Sequence, residues 1–301
     1  MRQGAIAAGL VLLAAAVVTP AHAEPASYAR VEAVQPPAWV QRGGARTALA
    51  AGTLLYAGDH YSTGLQARLH LALDDGSIVK LGEEAEFDLP ALELKQPPGG
   101  PAVLKGALNL LKGAFRFTTS ALGKLRRREL DVSVGPTITA GIRGTDIWGK
   151  SDPTQELLCL IEGKLQVRSP GQAPAMMDQA KTFYVVPHGK TALPVTAAEP
   201  GQLETWVPQT ELLPGQVALH AGGRWSLIVA QYLDAALAHK RAAQLDAQGY
   251  PVLLVPRPSR DIVLSALVMD GFTSQADALA YASKLQQVFG FIKQPKVLAP
   301  S

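Results

Sequence analysis

From Tyr28 to about Val195 the chain holds no sustained helical period; short segments of alternating apolar and polar residues follow one another, each ended by glycine, proline or aspartate. Val31–Val40, Leu69–Leu73, Ile78–Leu81, Phe115–Thr119, Leu130–Val134, Leu157–Val167 and Phe183–Val186 read as strands, because period-two alternation buries one side of a strand and wets the other. Between them Gly58-Asp59, Asp74-Asp75-Gly76-Ser77, Glu162-Gly163-Lys164 and His188-Gly189-Lys190 are tight-turn sequences. A chain broken this often cannot pack helices around a core. The expectation for residues 28–195 is a mainly-β sandwich or roll with a single core.

The carboxy-terminal region changes period and shows an internal repeat. Trp225–Ala230 reads as a strand, Leu233–Gln248 as a helix with Leu237 and Leu245 at helical spacing and Gly249 closing it, and Tyr250–Val255 as a second strand. The pattern recurs as a strand over Ile262–Met269, a helix capped by Ser274 and carrying Ala278, Leu279, Ala282 and Leu285 on one face, then Gly290 and a last strand over Gln294–Leu298. Two such halves give a small α+β domain over residues 220–301, a four-stranded sheet with two helices on one face. Pro194, Pro200, Pro208 and Pro214 fall between the two regions, so residues 196–219 read as a semi-rigid proline-rich linker in a multidomain chain. Within it Glu204–Leu213 is a candidate helix or strand that packs Trp206 on a neighbour.

Arg2, an unbroken small and apolar stretch from Ala5 to Val18, Pro20 and then Ala21-His22-Ala23 have the order of a secretory signal cleaved after Ala23. No later stretch reaches the roughly 18 apolar residues of a membrane-spanning helix, so no transmembrane segment is expected after signal removal. The expected location is the periplasm. The signal contributes one of the 28 Lys and Arg, which leaves 27 against 25 Asp and Glu and a net charge of +2. That balance excludes a dedicated nucleic-acid footprint. Lys124-Leu125-Arg126-Arg127-Arg128 is a local exception, answered by Glu129 and Asp131, and reads as a solvated turn, with contact to anionic cell-wall polymer or lipid headgroups as the alternative. Cys159, the single cysteine, cannot form an internal disulfide and sits in Leu157-Leu158-Cys159-Leu160-Ile161 as a small buried hydrophobe. His60, His70, His188, His220 and His239 are scattered, with no pair at metal-ligand spacing and no nucleophile elbow beside them. The expectation is a chain that is not an enzyme and has neither cofactor nor metal.

Val134–Gly149 contains Gly141-Ile142-Arg143-Gly144-Thr145, an arginine clamped between glycines. Glycine there admits positive φ or close approach of another strand, and the guanidinium offers five fixed donors, which suits a brace between loops more than a ligand contact. The run resembles the Ile/Val-Arg-Gly-Thr element of the FecR domain, a periplasmic β-rich module. Other pieces follow in the same order: Trp39 with Gly44 and Arg46, Gly52-Thr53-Leu54-Leu55 before Gly58-Asp59, Ser62-Thr63-Gly64, Leu71 to Ser77, Lys112 to Phe117, and Ile161-Glu162-Gly163 with Leu165 and Val167. The resemblance implies a binding or sensing module with Arg143, Gly144 and Thr145 in a structural role. The export signal leaves no cytoplasmic part to meet a sigma factor, so only the periplasmic module carries over.

Trp225-Ser226-Leu227-Ile228-Val229-Ala230 with Tyr232, the Ala243-x-Leu245-x-x-x-Gly249-Tyr250 helix end, and Leu267 to Ser274 running into Ala276 and Ala278 are similar to the SPOR domain. That resemblance implies a sheet face that binds peptidoglycan glycan strands denuded of their stem peptides. Alternation places Leu227, Val229, Leu267 and Met269 under the helices, and Ser226, Ile228, Ala230, Ala266 and Val268 on the opposite face, with Gln231 and Arg260 as further polar contributors. Ile228 stands where the family commonly has glutamine, and Ala266 and Val268 where it often has arginine. Two occupants of that face stay open: glycan strands, which would tether the FecR-like domain to the wall, and an envelope protein docked on an apolar surface.

Overall fold

The computed structural model describes residues 27, 29–100, 103–120, 127–142, 144–259 and 262–300. The segment expected to be an export signal, with Ala23, and Arg143, Arg260 and residues 124–126 of the basic run lie outside the described residues.

Turn chemistry cuts the first two-thirds of the chain into β1 (Ala29–Gln35), β2 (Ala38–Arg42), β3 (Ala45–Ala48), β4 (Asp59–Thr63), β5 (Arg68–Leu73), β6 (Ile78–Leu81), β7 (Glu86–Lys95), β8 (Val103–Thr118) and β9 (Arg127–Val134). There follow β10 (Ile138–Ile142), β11 (Asp146–Ser151), β12 (Gln155–Glu162), β13 (Leu165–Arg168), β14 (Ala175–Met177), β15 (Thr182–Pro187), β16 (Thr196–Ala197) and β17 (Leu219–His220). One sheet runs β17-β1-β5-β6-β8-β11-β12-β15-β16, and the other β3-β2-β4-β7-β8-β9-β10-β13-β14. All of these pairings are antiparallel except β8 with β9.

β8 belongs to both sheets. Its first part pairs with β7 and β9, and Gly113–Thr118 pairs with β6 and β11. Gly113 makes the corner at φ 87°, and a Cβ there would lie 2.7 Å from Ala85 Cα. The segment read as one strand over Val31–Val40 is two strands in different sheets, broken at Pro36-Pro37, because proline has no N–H to continue a ladder. Between the sheets Tyr61, Phe87, Phe115, Phe117, Leu108, Val132, Ile138 and Leu160 close a fully buried core.

Residues 196–219, read from the sequence as a semi-rigid linker, form a strap laid across the first sheet. After β16 comes α1 (Gln202–Trp206), a 3-10 turn over Val207–Gln209, and β17, which pairs with β1. Leu203 and Trp206 cover the outer side of that sheet, over Trp148, Leu157, Cys159 and Val185. The prolines fix backbone angles; the apolar side chains decide that the segment docks.

The small domain has β18 (Trp225–Tyr232), α2 (Ala235–Ala247), β19 (Leu253–Ser259), β20 (Ile262–Phe272), α3 (Gln275–Val288) and β21 (Lys296–Leu298). Its sheet order is β19-β20-β18-β21, antiparallel throughout, with both helices on one face. Asp234 caps α2 by accepting from the Ala236 and Leu237 amides, and Ser274 caps α3 by accepting from the Asp277 amide. Leu227, Val229, Leu267 and Met269 pack beneath the helices against Ala238, Leu245, Ala278 and Leu285.

Candidate functional site

The helix-free face of the small domain is the surface singled out by the sequence. β18 carries a bulge between Ile228 and Ala230, so Ile228 pairs with Val268, Ala230 with Leu267 and Gln231 with Ala266. Strict alternation puts Ala230 on the helix-free face; the bulge turns it to the helix side beside Leu267 and brings Gln231 to the helix-free face beside Ala266. Ile228, Ala266 and Val268 do lie together, in an apolar cluster with Val255 and Leu298, and all three are buried. Ser226 is half-buried and Gln231 exposed. Register adds Leu253, Arg257, Ile262, Asp270 and Lys296 to the same face. Leu253 is 57% exposed and Ile262 48%, so the accessible part is a rim of mixed apolar and charged groups around a closed apolar centre.

One edge of this face opens on a cleft of about 320 Å³ between the domains, lined by Ala48, Ala51, Asp246, Leu253, Val268 and Asp270. The junction itself is tightly built. Asp246 Oδ1 accepts from the Ala48 amide at 2.8 Å, and the Ala38 amide donates to Gly249 O at 3.3 Å. Gly249, at φ 79° just beyond α2, lets the Trp39 ring pack against its backbone; a Cβ there would lie 2.8 Å from the ring. The guanidinium of Arg46 sits 3.9 Å above Trp39. Two residues that carried the FecR resemblance, Trp39 and Arg46, thus form the seat of the small domain.

The strap is fastened by polar groups that no local pattern revealed. Gln35 Nε2 donates to Leu213 O and Gln216 O, and its Oε1 accepts from the Leu213 amide. His70 Nε2 donates to Thr210 O at 3.1 Å, and burial pushes the His70 pKa down to about 4, so the ring is neutral. Glu211 accepts from Lys80 at 2.5 Å and from Arg116 at 2.9 Å, while Arg116 forks onto Asp146 at 3.0 and 2.7 Å. Burial raises the Glu211 carboxyl, yet the hydrogen bond from Lys80 and the charges of Lys80 and Arg116 hold it below the usual range. Trp206 stacks on Trp148 at 5.3 Å with planes 4° apart and meets Phe183 edge-on at 5.8 Å. Packing of Trp206 on a neighbour was legible in the sequence; the Gln35 and Glu211 anchors had no signal, since their partners lie far along the chain.

The glycine-flanked run forms the crossing from β10 in one sheet to β11 in the other. Ile142 and Thr145 are buried, Gly144 adopts φ 84°, and Thr145 O accepts from Thr119 Oγ1 at 2.8 Å. Gly163 packs on this corner, where a Cβ would lie 2.9 Å from Thr145 Cγ2. Gly144 meets the expectation of positive φ, whereas Gly141 needs neither positive φ nor close approach. Cys159 is fully buried, and burial with the charge of Asp146 pushes its thiol up to about 12. The histidines do not converge: His60 pairs with Asp88 at 2.7 Å, and His188 Nε2 with buried Glu156 at 2.6 Å. Among the described residues no group of three His, Cys, Asp or Glu could hold a metal ion, and no helix is long and apolar enough to cross a membrane.

Two solved structures, each of a protein from Parabacteroides distasonis ATCC 8503 assigned as an anti-sigma factor, are similar to this chain at 12% and 13% identity. They match 77% and 80% of this chain, and 91% and 99% of their own, with TM-scores of 0.37 and 0.38, too low to establish a common fold. No curated protein matches the chain. Residues 59–166, from β4 into β13 and including Gly141 to Thr145, match the FecR protein family.

Proposed function

We propose that the chain is an exported, non-catalytic protein of the periplasmic cell envelope, in which the β-domain is a FecR-like binding or sensing module and the small domain attaches it to another envelope component. The observation that carries this reading is the exposed apolar pair Leu253 and Ile262 on the helix-free sheet face, beside a centre of Ile228, Ala266 and Val268 that the domain itself already buries. Burial of apolar surface drives association without any reactive group. The same composition favours a protein partner over bare sugar: a glycan gives up water hydrogen bonds that aliphatic side chains cannot replace, and the aromatic rings Trp225, Tyr232, Phe272 and Tyr281 pack on the helix side.

Denuded glycan is the second reading, favoured by the SPOR-like βαββαβ order and by the polar rim of Ser226, Gln231, Arg257, Asp270 and Lys296. Co-sedimentation of the mature chain with purified sacculi, before and after amidase removes the stem peptides, separates the two. Retention that rises after amidase treatment selects the glycan. A chain that stays in the supernatant in both states leaves the protein-partner reading, which then requires that Leu253→Asp abolish a pull-down obtained with the wild type.

A further inference from the structure

The outer side of the second sheet carries a groove of about 590 Å³ over β9, β10, β13 and β14, with Glu129, Asp131, Gly141, Lys164, Gln166 and Arg168 among its lining. The ladders align its floor in one row: Asp131 pairs with Gly141, Gly141 with Gln166, and Gln166 with Met176. Strands lie about 4.8 Å apart, so Asp131 and Gln166 flank the glycine across about 10 Å.

Packing gives Gly141 no reason to be glycine. A Cβ there would meet only Asp131 Oδ1, at an ordinary 3.7 Å, whereas at Gly106, Gly113 and Gly149 in other strands it would come within 2.8, 2.7 and 2.4 Å of neighbouring atoms. Glycine weakens a strand interior, and one without such contacts marks a place where something outside approaches the backbone. The two walls carry opposite charge. Glu129, which also meets Lys105, and Asp131 stand along β9; Lys164 stands just before β13 and Arg168 at its end, with the Gln166 amide between them. Asp131, Lys164, Gln166 and Arg168 are exposed, and none has a side-chain hydrogen bond or ion pair among the described residues. Met176, 59% exposed, closes the row as an apolar shelf.

The geometry points to a second ligand site in this groove, one that takes a zwitterionic peptide with its ammonium group against Glu129 and Asp131, its carboxylate against Lys164 and Arg168, and its backbone over Gly141. An anion alone is repelled by the β9 wall and a cation alone by the β13 wall; a ligand with both charges satisfies each. Gln166 presents one donor group and one acceptor, the complement of a peptide bond. The walls face water, so the attraction is screened by salt.

Saturation-transfer NMR of trialanine with the full mature chain tests the site, with N-acetyl-trialanine and trialanine amide as controls. Expected are transfer to the free peptide that fades as salt rises, and its loss in both capped forms. Gly141→Leu fills the floor without a backbone clash and should abolish transfer at an unchanged melting temperature. Asp131→Asn and Arg168→Gln, both on exposed side chains, should each weaken binding about fivefold or more, and they decide the matter should Gly141→Leu lower the melting temperature. Absence of transfer to the wild type, equal transfer to a capped peptide, or undiminished binding in the charge variants overturns the proposal.

Discussion

Replacing Trp206 with alanine removes the apolar face by which the strap grips the first sheet. Full truncation of a core tryptophan costs about 3–5 kcal/mol, and Trp206 lies on an outer face and is only partly buried, so about 2 kcal/mol is the expected loss. For a chain of this size that corresponds to a melting-temperature drop of about 3–4 °C. The structure supplies a more local readout, because the single cysteine lies in the cluster that Trp206 covers. With its thiol pushed up to about 12 against an ordinary 9.0, the thiolate fraction at pH 8 is on the order of 10⁻⁴ rather than about a tenth. A disulfide reagent such as DTNB should therefore label the native chain slowly and the Trp206→Ala chain many times faster, at temperatures where both remain folded. Equal labelling rates together with an unchanged melting temperature would refute the docking of residues 196–219.

Other perturbations follow from buried groups. Ile228→Asp places an unpaired charge in a closed apolar cluster and should cost at least about 3 kcal/mol and melt the small domain, whereas Gln231→Ala, on the same face but exposed, should leave its thermal transition in place. His70 is neutral in the fold, with a pKa near 4 against an unfolded value near 6.5; as pH falls below 6.5 the unfolded chain takes the proton first, and about 3 kcal/mol of stability is lost by pH 4. Melting temperatures of wild type and His70→Asn across that window should converge toward acid if the ring is the cause. His188 shows the opposite sign: the hydrogen bond to Glu156 raises its pKa, so its contribution is complete below about 6.5 and fades as pH rises through the raised value. His188→Ala should flatten the melting-temperature profile on the alkaline side, and an unchanged profile would exclude that pair.

Local chemistry was readable where one segment decides its own conformation. Gly58, Gly76, Gly163 and Gly189 all take the positive φ that their turn sequences demand, and the cap of the second helix falls at Ser274 as read, whereas the first helix, read from Leu233, starts at Ala235 behind an Asp234 cap. The paired βαβ order of the small domain follows directly from its change of period. What stayed hidden depends on partners far away in sequence. The switch of β8 between sheets at Gly113 is set by Ala85, the strap by Gln35, Lys80 and Arg116, and the seat of the small domain by Trp39. The bulge at Ala230 is a register event between β18 and β20, and alternation within one strand cannot announce it. For the same reason four of the sheet-face positions could be placed on the right face while Ala230 could not.

Proline density argues for domains that move independently; the junction argues that they act as one body. Asp246, Gly249, Trp39 and Arg46 interlock there, and β17 hands the chain from the first sheet to β18 within a few residues. A ligand held by one domain then fixes the orientation of the other, which a flexible tether would not do. Gly249→Ala tests this. Its φ of 79° disfavours any side chain, and the new Cβ would stand 2.8 Å from Trp39, so the strain falls on the interface more than on either core. The expected result is a calorimetric trace that splits from one transition into two, with proteolytic cleavage newly admitted near Gly222–Arg224. A single transition at the wild-type temperature would mean that the domains do not depend on this contact, and that attachment through the small domain does not orient the β-domain.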